Sequence, residues 1–161
     1  MAVVVQSSTT MINAAFLQEV KDSNVELWDA VHRLRVLIEE AGDATRTRIS
    51  AEQTRSFVTL LGQLRDLLAF EFSLEEAYGY IEGCRGAPSI AGQRVAAAKL
   101  QHRELYLLIH ELCEQAEEAQ YRGAVDREYV ELIAAAAEFD AQLRAHEQLE
   151  AELATAAFRG L

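Results

Sequence analysis

Apolar residues return every third or fourth position through four long stretches of the chain, with short polar or glycine-bearing segments between them. That period belongs to helices with one buried face. Ser23 and Glu26 have the spacing of a capping box and predict a first main helix over 24–41, stopped at Gly42. Ser50 and Gln53 repeat the spacing and open a second helix, predicted over 51–82. The segment 83-GCRGAPS-89 carries two glycines and the only proline, the clearest break in the chain. Ser89 then caps a third helix over 90–120, Gly123 breaks the pattern again, and Asp126 caps a fourth over 127–158. A shorter lead, 11-MINAAFLQEVKD-22, has its own apolar–polar pattern and is expected to be part helical. Short loops favour antiparallel neighbours. The expected fold is therefore all-α: an up-down-up-down four-helix bundle over 23–161, with an N-terminal lead over 1–22.

The helical period also says which way the polar residues face. In the second helix Phe57, Leu60, Leu64, Leu67, Leu68 and Tyr78 form the apolar rows, and the same rows run through Glu71 and Glu75. In the fourth, Leu132, Ala135, Phe139, Leu143, Leu153 and Ala157 form the core face, which includes His146 and Glu150. In the third, Val95, Ala98, Leu105, Ile109 and Cys113 place His102 on the core face and leave His110 at the surface. The first helix offers two neighbouring stripes. Leu27, Val31, Leu34 and Ile38 make one; Val25, Trp28, His32 and Val36 make the other, with His32 at its edge.

Composition changes this picture little. One proline and few glycines suit helices and argue against a sandwich or barrel. A net charge of −11 disfavours nucleic acid and anionic lipid as partners. Two cysteines are too few for a disulfide framework or a thiolate zinc site, and both are expected to be reduced, Cys84 in a loop and Cys113 on a helix. The start, MAVVVQSSTT, lacks the basic segment and apolar length of a signal peptide, and no stretch approaches a membrane span. A cytoplasmic protein is the expectation.

The inward carboxylates change the picture most. An unpaired buried carboxylate costs several kcal/mol, and two at four-residue spacing also repel each other. An inward Lys or Arg, a proton, or a metal cation can offset that cost. None of the mapped core faces carries a basic residue near the middle of the second, third or fourth helix; imidazoles and another carboxylate converge there instead. His32, Glu71, Glu75, His102, His146 and Glu150 together form the ligand inventory of a dinuclear iron or manganese site with bridging glutamates, held between the middles of the helices. The bland alternatives are hydrogen-bonded core histidines, a solvated glutamate face, and Glu150 paired with Arg144.

These residues resemble the hemerythrin-like, or HHE cation-binding, domain family from about Val25 to Phe158. The segment 28-WDAVHRLRVL-37 looks like that family's first motif, with His32 as ligand, and 64-LRDLLAFEFSLEEAY-78 looks like its second, with Glu75 matching the family's glutamate. The run 99-KLQHREL-105 is similar to the third motif and assigns His102, and 143-LRAHEQLEAEL-153 is similar to the fourth and assigns His146 and Glu150. The resemblance implies a four-helix bundle holding two irons. Two positions depart from the family: Glu71 stands where a histidine opens the second motif, and Ala98 stands four before His102 where the oxygen carriers have another histidine. Anionic oxygen in place of neutral nitrogen favours the higher oxidation state of iron, which suits a sensor or store better than a reversible carrier.

The expected function is thus a non-haem di-iron protein that meets dioxygen, a peroxide or another small ligand at the metal pair, with manganese or zinc suited to the same ligands. Ala98 is expected to leave room for that small ligand. A di-iron or dimanganese oxidase or peroxidase is the alternative, with Tyr78 or Tyr106 near the metals as hydrogen-bonding or redox-active phenols. A metal-free helical interaction module is the third reading, and requires every inward carboxylate to be protonated or paired.

Overall fold

The computed structural model describes residues 9–43, 49–83 and 90–158. Five α-helices pack together: α1 (Ala14–Ser23), α2 (Val25–Asp43), α3 (Ala51–Leu74), α4 (Ile90–Tyr121) and α5 (Val125–Phe158). Each of the helices α2 to α5 packs on its sequence neighbour, and α2 also packs on α5, which closes the ring. The arrangement is compatible with a four-helix bundle preceded by a lead. A short antiparallel ribbon, β1 (Thr9–Ile12) with β2 (Tyr80–Gly83), ties the lead to the end of the second long helix, Thr9 opposite Gly83 and Ile12 opposite Tyr80.

The capping signals are met unevenly. Ser50 Oγ accepts the Gln53 N–H at 3.0 Å while the Gln53 side chain accepts the Ser50 N–H at 2.8 Å, a complete capping box. Ser23 does not cap the helix that follows. It is the last residue of α1, and its hydroxyl donates to the Val20 carbonyl. Asn24 takes the role instead, its Oδ1 accepting the Leu27 N–H at 3.3 Å. Likewise α5 already begins at Val125, and the Asp126 carboxylate accepts the Ile49 N–H at 2.9 Å across the bundle. Between α4 and α5 Gly123 adopts φ 67° and closes a Schellman turn, with Ala124 N–H on the Ala119 carbonyl and Gly123 N–H on that of Gln120. The expected cap at Ser89 and the loop thiol Cys84 lie outside the described residues.

The largest departure from the sequence pattern is in the second long helix. Expected to run over 51–82, it ends as an α-helix at Leu74, passes through a π turn over Glu75–Gly79, and leaves as the strand β2. The turn is closed by the Tyr80 N–H on the Glu75 carbonyl, one residue wider than an α-helical bond. The wider turn shifts the phase of everything after it. Tyr78, expected in the core rows, is 60% exposed, and Tyr80 is buried instead.

The main core fills one length of the bundle with Leu27, Val31, Leu34, Phe57, Leu61, Leu64, Ile109 and Phe139 among its members. A smaller cluster of Leu17, Tyr80, Val95, Ala98 and Leu153 lies where α1 and β2 cover the long helices. Gly79 permits that cover. A Cβ there would collide with Leu17 Cδ2, so a side chain at position 79 would push α1 away. None of the described helices is long and apolar enough to cross a membrane.

Candidate metal centre

Between the two apolar clusters lies a buried polar one. Glu71, Glu75, His102, His146 and Glu150 are each 3% exposed or less, so five of the six residues expected to face inward do so. They come from the last turn of α3, the π turn, α4 and α5. The cluster sits toward one end of the bundle, not between the middles of the helices, because Glu71 and Glu75 close α3 and Asn24 opens α2.

His32 is the exception and requires a correction. The buried face of α2 runs through Leu27, Ala30, Val31 and Leu34, and His32 lies roughly 100° around the helix from Val31. It is exposed and lines a surface groove with Arg33, Val36 and Phe57. The residue that reaches the cluster from this part of the chain is Asn24, just before α2 and at the start of the same inward row as Leu27 and Val31. Its Nδ2 donates to Glu71 Oε1 at 3.4 Å.

Four of the inward residues present one donor atom each within 4.8 Å of one another: Glu75, His102, His146 and Glu150. The two imidazole Nε2 atoms are 3.0 Å apart. His102 Nε2 lies 3.0 Å from Glu75 Oε2, and His146 Nε2 lies 3.2 Å from Glu150 Oε1. A metal ion with bonds of about 2.1 Å sets neighbouring ligands about 3.0 Å apart at a right angle and about 3.4 Å apart at a tetrahedral one. Three of the quartet's spacings, 3.0, 3.0 and 3.2 Å, fall in that range, and His102 Nε2 to Glu150 Oε1 is wider at 3.9 Å. The quartet can hold a metal ion.

The tautomers point the same way. His146 Nδ1 lies 2.8 Å from Gln101 Oε1, an acceptor, which places a proton at Nδ1 and turns Nε2 into the cluster. There Nε2 meets a metal ion or, in the metal-free chain, Glu150 as hydrogen-bond acceptor. His102 is clamped by ring stacking on Phe72, with centroids 4.0 Å apart and planes 10° from parallel. Two imidazole nitrogens and two carboxylates thus converge on one small volume, an arrangement that a proton or a metal cation must fill.

The charges show where the strain of burial lies. Glu75 is 0% exposed, and its oxygens have no partner beyond the His102 ring nitrogen, 3.0 Å from Oε2, and the neighbouring Glu150. Burial first, and the neighbouring Glu150 second, push its carboxyl up to about 11. Burial and Glu150 also raise Glu71, to about 7, against the Asn24 amide and the Lys21 charge that lower it. Glu150 goes the other way. Burial would raise it, but hydrogen bonds from His102 and His146 outweigh burial and hold it well below its ordinary value.

Lys21 and Tyr80 also reach Glu150, and the helical faces of the sequence did not announce either. Lys21 Nζ is 2.8 Å from Glu150 Oε2, and the buried Tyr80 hydroxyl donates to Glu150 Oε1 at 3.4 Å. Burial works against the Lys21 charge, and Glu150 beside it more than restores it. The spacing of Ala14, Leu17 and Lys21 on α1 was the signal that could have placed Lys21 inward. Arg144, the expected surface partner of Glu150, instead pairs with Asp140 at 3.1 Å.

The remaining expectations divide. His110 stays away from the cluster, beside Glu114 at 3.2 Å and stacked on Tyr106, itself partly exposed. Ala98 does not open a space for a small ligand; it is fully buried in the apolar cluster with Leu17 and Tyr80. Cys113 is a free, buried thiol, as expected. Comparison of the chain with protein-family models, with curated proteins and with solved structures finds no match in any of the three.

Proposed function

We propose that the protein is a non-haem metal-binding protein of hemerythrin-like type, an up-down-up-down four-helix bundle with iron bound by Glu75, His102, His146 and Glu150. The observation that carries the reading is the meeting of two imidazoles and two carboxylates within 4.8 Å, with Glu75 fully buried and partnered only from within the cluster. A mixed nitrogen and oxygen donor set suits ferrous iron or manganese, and zinc in a closed tetrahedral form. Four protein donors leave two positions free on a six-coordinate ion, where dioxygen, a peroxide or water can bind. When bound, such an ion supplies redox and Lewis-acid chemistry.

The chain's own residues define what the site does around that ion. Phe72 and Tyr80 screen the imidazoles from water, and Gln101 fixes the proton of His146 at Nδ1. Glu71 lies outside the quartet, its Oε1 accepting from the Asn24 amide at 3.4 Å, and serves as an acid beside the metal position. A sensor or store of oxygen, peroxide or iron follows from this set; an oxidase or peroxidase uses the same residues with turnover. The buried phenol for the second reading is Tyr80, since Tyr78 is exposed and Tyr106 partly so.

A metal-free module is favoured by one observation, the Lys21–Glu150 ion pair, which supplies an inward base. Elemental analysis decides. Protein purified without added metal, and again after reconstitution with ferrous iron under nitrogen, is expected to hold iron in proportion to chain. Protein free of transition metal under both conditions would leave the metal-free module standing.

A further inference from the structure

We propose that Lys21 is a resident cation standing where a dinuclear site would hold its second metal ion, so that the centre takes one divalent ion. The inference rests on the metal-binding reading above and gives it a stoichiometry.

The geometry starts with Glu150. Its Oε1 faces the imidazoles, 3.2 Å from His146 Nε2 and 3.9 Å from His102 Nε2, while its Oε2 lies 2.8 Å from the Lys21 ammonium. One oxygen serves the metal quartet and the other serves a cation. That is the posture of a carboxylate bridging two metal ions, with an ammonium in one of the two places. Lys21 also lies close enough to Glu71 and Glu75 for each to favour its charge, so all three carboxylates of the cluster feel it.

Charge balance gives the same count. Glu71, Glu75 and Glu150 carry three negative charges when ionised. One divalent ion with one ammonium neutralises them, whereas two divalent ions beside Lys21 leave an excess of two positive charges in a buried site. The donors left for a second ion are Glu71 and the outer oxygen of Glu150, and Lys21 stands against them in its place.

The residue type is distinctive in this chain. Of 15 basic residues only Lys21 and Lys99 are lysines, the rest being arginine. An ammonium is a compact point charge and substitutes for an ion; a planar guanidinium spreads its charge over a fork of donors. The backbone supports the placement. Gly79 lets Leu17 approach, and Leu17 lies one turn before Lys21 on α1.

The test is equilibrium dialysis of the full chain against manganous ion, with metal counted per chain by elemental analysis. Wild type is expected to bind one ion, and Lys21→Met twice as much; Lys21→Arg, which keeps the charge, stays at one. Two ions in wild type, or one in a folded Lys21→Met, would overturn the proposal while leaving the metal-binding reading intact. No metal in wild type removes that reading and this inference with it. If Lys21→Met fails to fold, the labelling of wild type by an amine-reactive reagent decides, with Lys99 as internal reference. Lys21 is expected to label as slowly with saturating manganous ion as without it. A rise in Lys21 labelling on metal loading, as a second ion displaced it, would overturn the proposal.

Discussion

Asp140 and Glu150 both face inward from α5, about three turns apart, and the fold treats them in opposite ways. Asp140 is gripped by two guanidinium groups, Arg35 Nε at 2.8 Å on one oxygen and Arg144 Nε at 3.1 Å on the other. Arg35 reaches on to Glu147 at 3.1 Å, so that cluster is neutralised by side chains alone. At Glu150 the neighbours are two more buried carboxylates, two imidazoles and a single ammonium. The same helix thus has an arginine solution to a buried acid and does not use it at the second place. An acid cluster left short of fixed positive charge is one completed from outside, by protons or by metal.

The comparison is broken most severely at the imidazoles. His102→Ala removes the nitrogen that lies beside both His146 and Glu75, and metal affinity should fall by more than ~100-fold, since even residues behind metal ligands are worth 10–100-fold. Isothermal calorimetry with manganous ion reads this directly. His110→Ala on the same helix serves as the control and should leave the affinity unchanged.

Glu75→Gln sharpens the contrast between the two states of the site. Without metal Glu75 must hold a proton to stay buried, at a cost of about 1.4 kcal/mol for each pH unit above its ordinary 4.5. Gln carries no such cost and should stabilise the protein by about 1–4 kcal/mol near neutral pH. With saturating metal the substitution removes a ligand and should destabilise. Urea unfolding of wild type and variant, each with and without metal, gives both signs. A shift of the same sign in both states would place Glu75 with ordinary core residues.

Arg35→Ala tests the other half of the comparison. It leaves Asp140 with Arg144 alone, and should cost about 1–3 kcal/mol in the metal-free and metal-loaded protein alike. Metal content should not change. A loss of metal would mean that the two acid clusters are one system.

The stability of the metal-free protein should also depend on pH. Glu71 titrates near 7 and Glu75 higher still, both above their ordinary 4.5, so the native chain holds more protons than the unfolded one between those values. Stability should therefore rise as pH falls from 7 toward 4.5, with a slope of at most about 1.4 kcal/mol per pH unit for each proton. Below that the sign reverses. Glu150 is held well under 4.5 in the folded state, and its protonation removes the stability its partners supply. Thermal unfolding across pH 3–8 in the presence of a chelator should show a maximum between the two regimes.

Most of this centre was legible in the helical period, because a face continued by threes and fours places Glu71, Glu75, His102, His146 and Glu150 whatever the packing around them. The capping box at Ser50 was legible for the same local reason. What escaped the pattern depends on contacts across the chain. His32 was misplaced because α2 has two apolar stripes, and only packing decides that Leu27, Val31 and Leu34 go inside. Tyr80 was hidden by the π turn, whose wider bond turns the phase of the chain just after Glu75. Lys21 was hidden because α1 docks on the π turn through Leu17 and Gly79, a fit that neither segment carries alone.

The most direct test of a cation-completed site is thermal unfolding of the wild-type protein, stripped by chelator, with and without excess ferrous iron under nitrogen. A ligand that binds only the folded chain stabilises it by about 2.7 kcal/mol at a hundred times its dissociation constant. The account predicts a clear rise in Tm on adding iron, and no such rise in His102→Ala. An unchanged wild-type Tm, with iron, manganese and zinc each in excess, would contradict it.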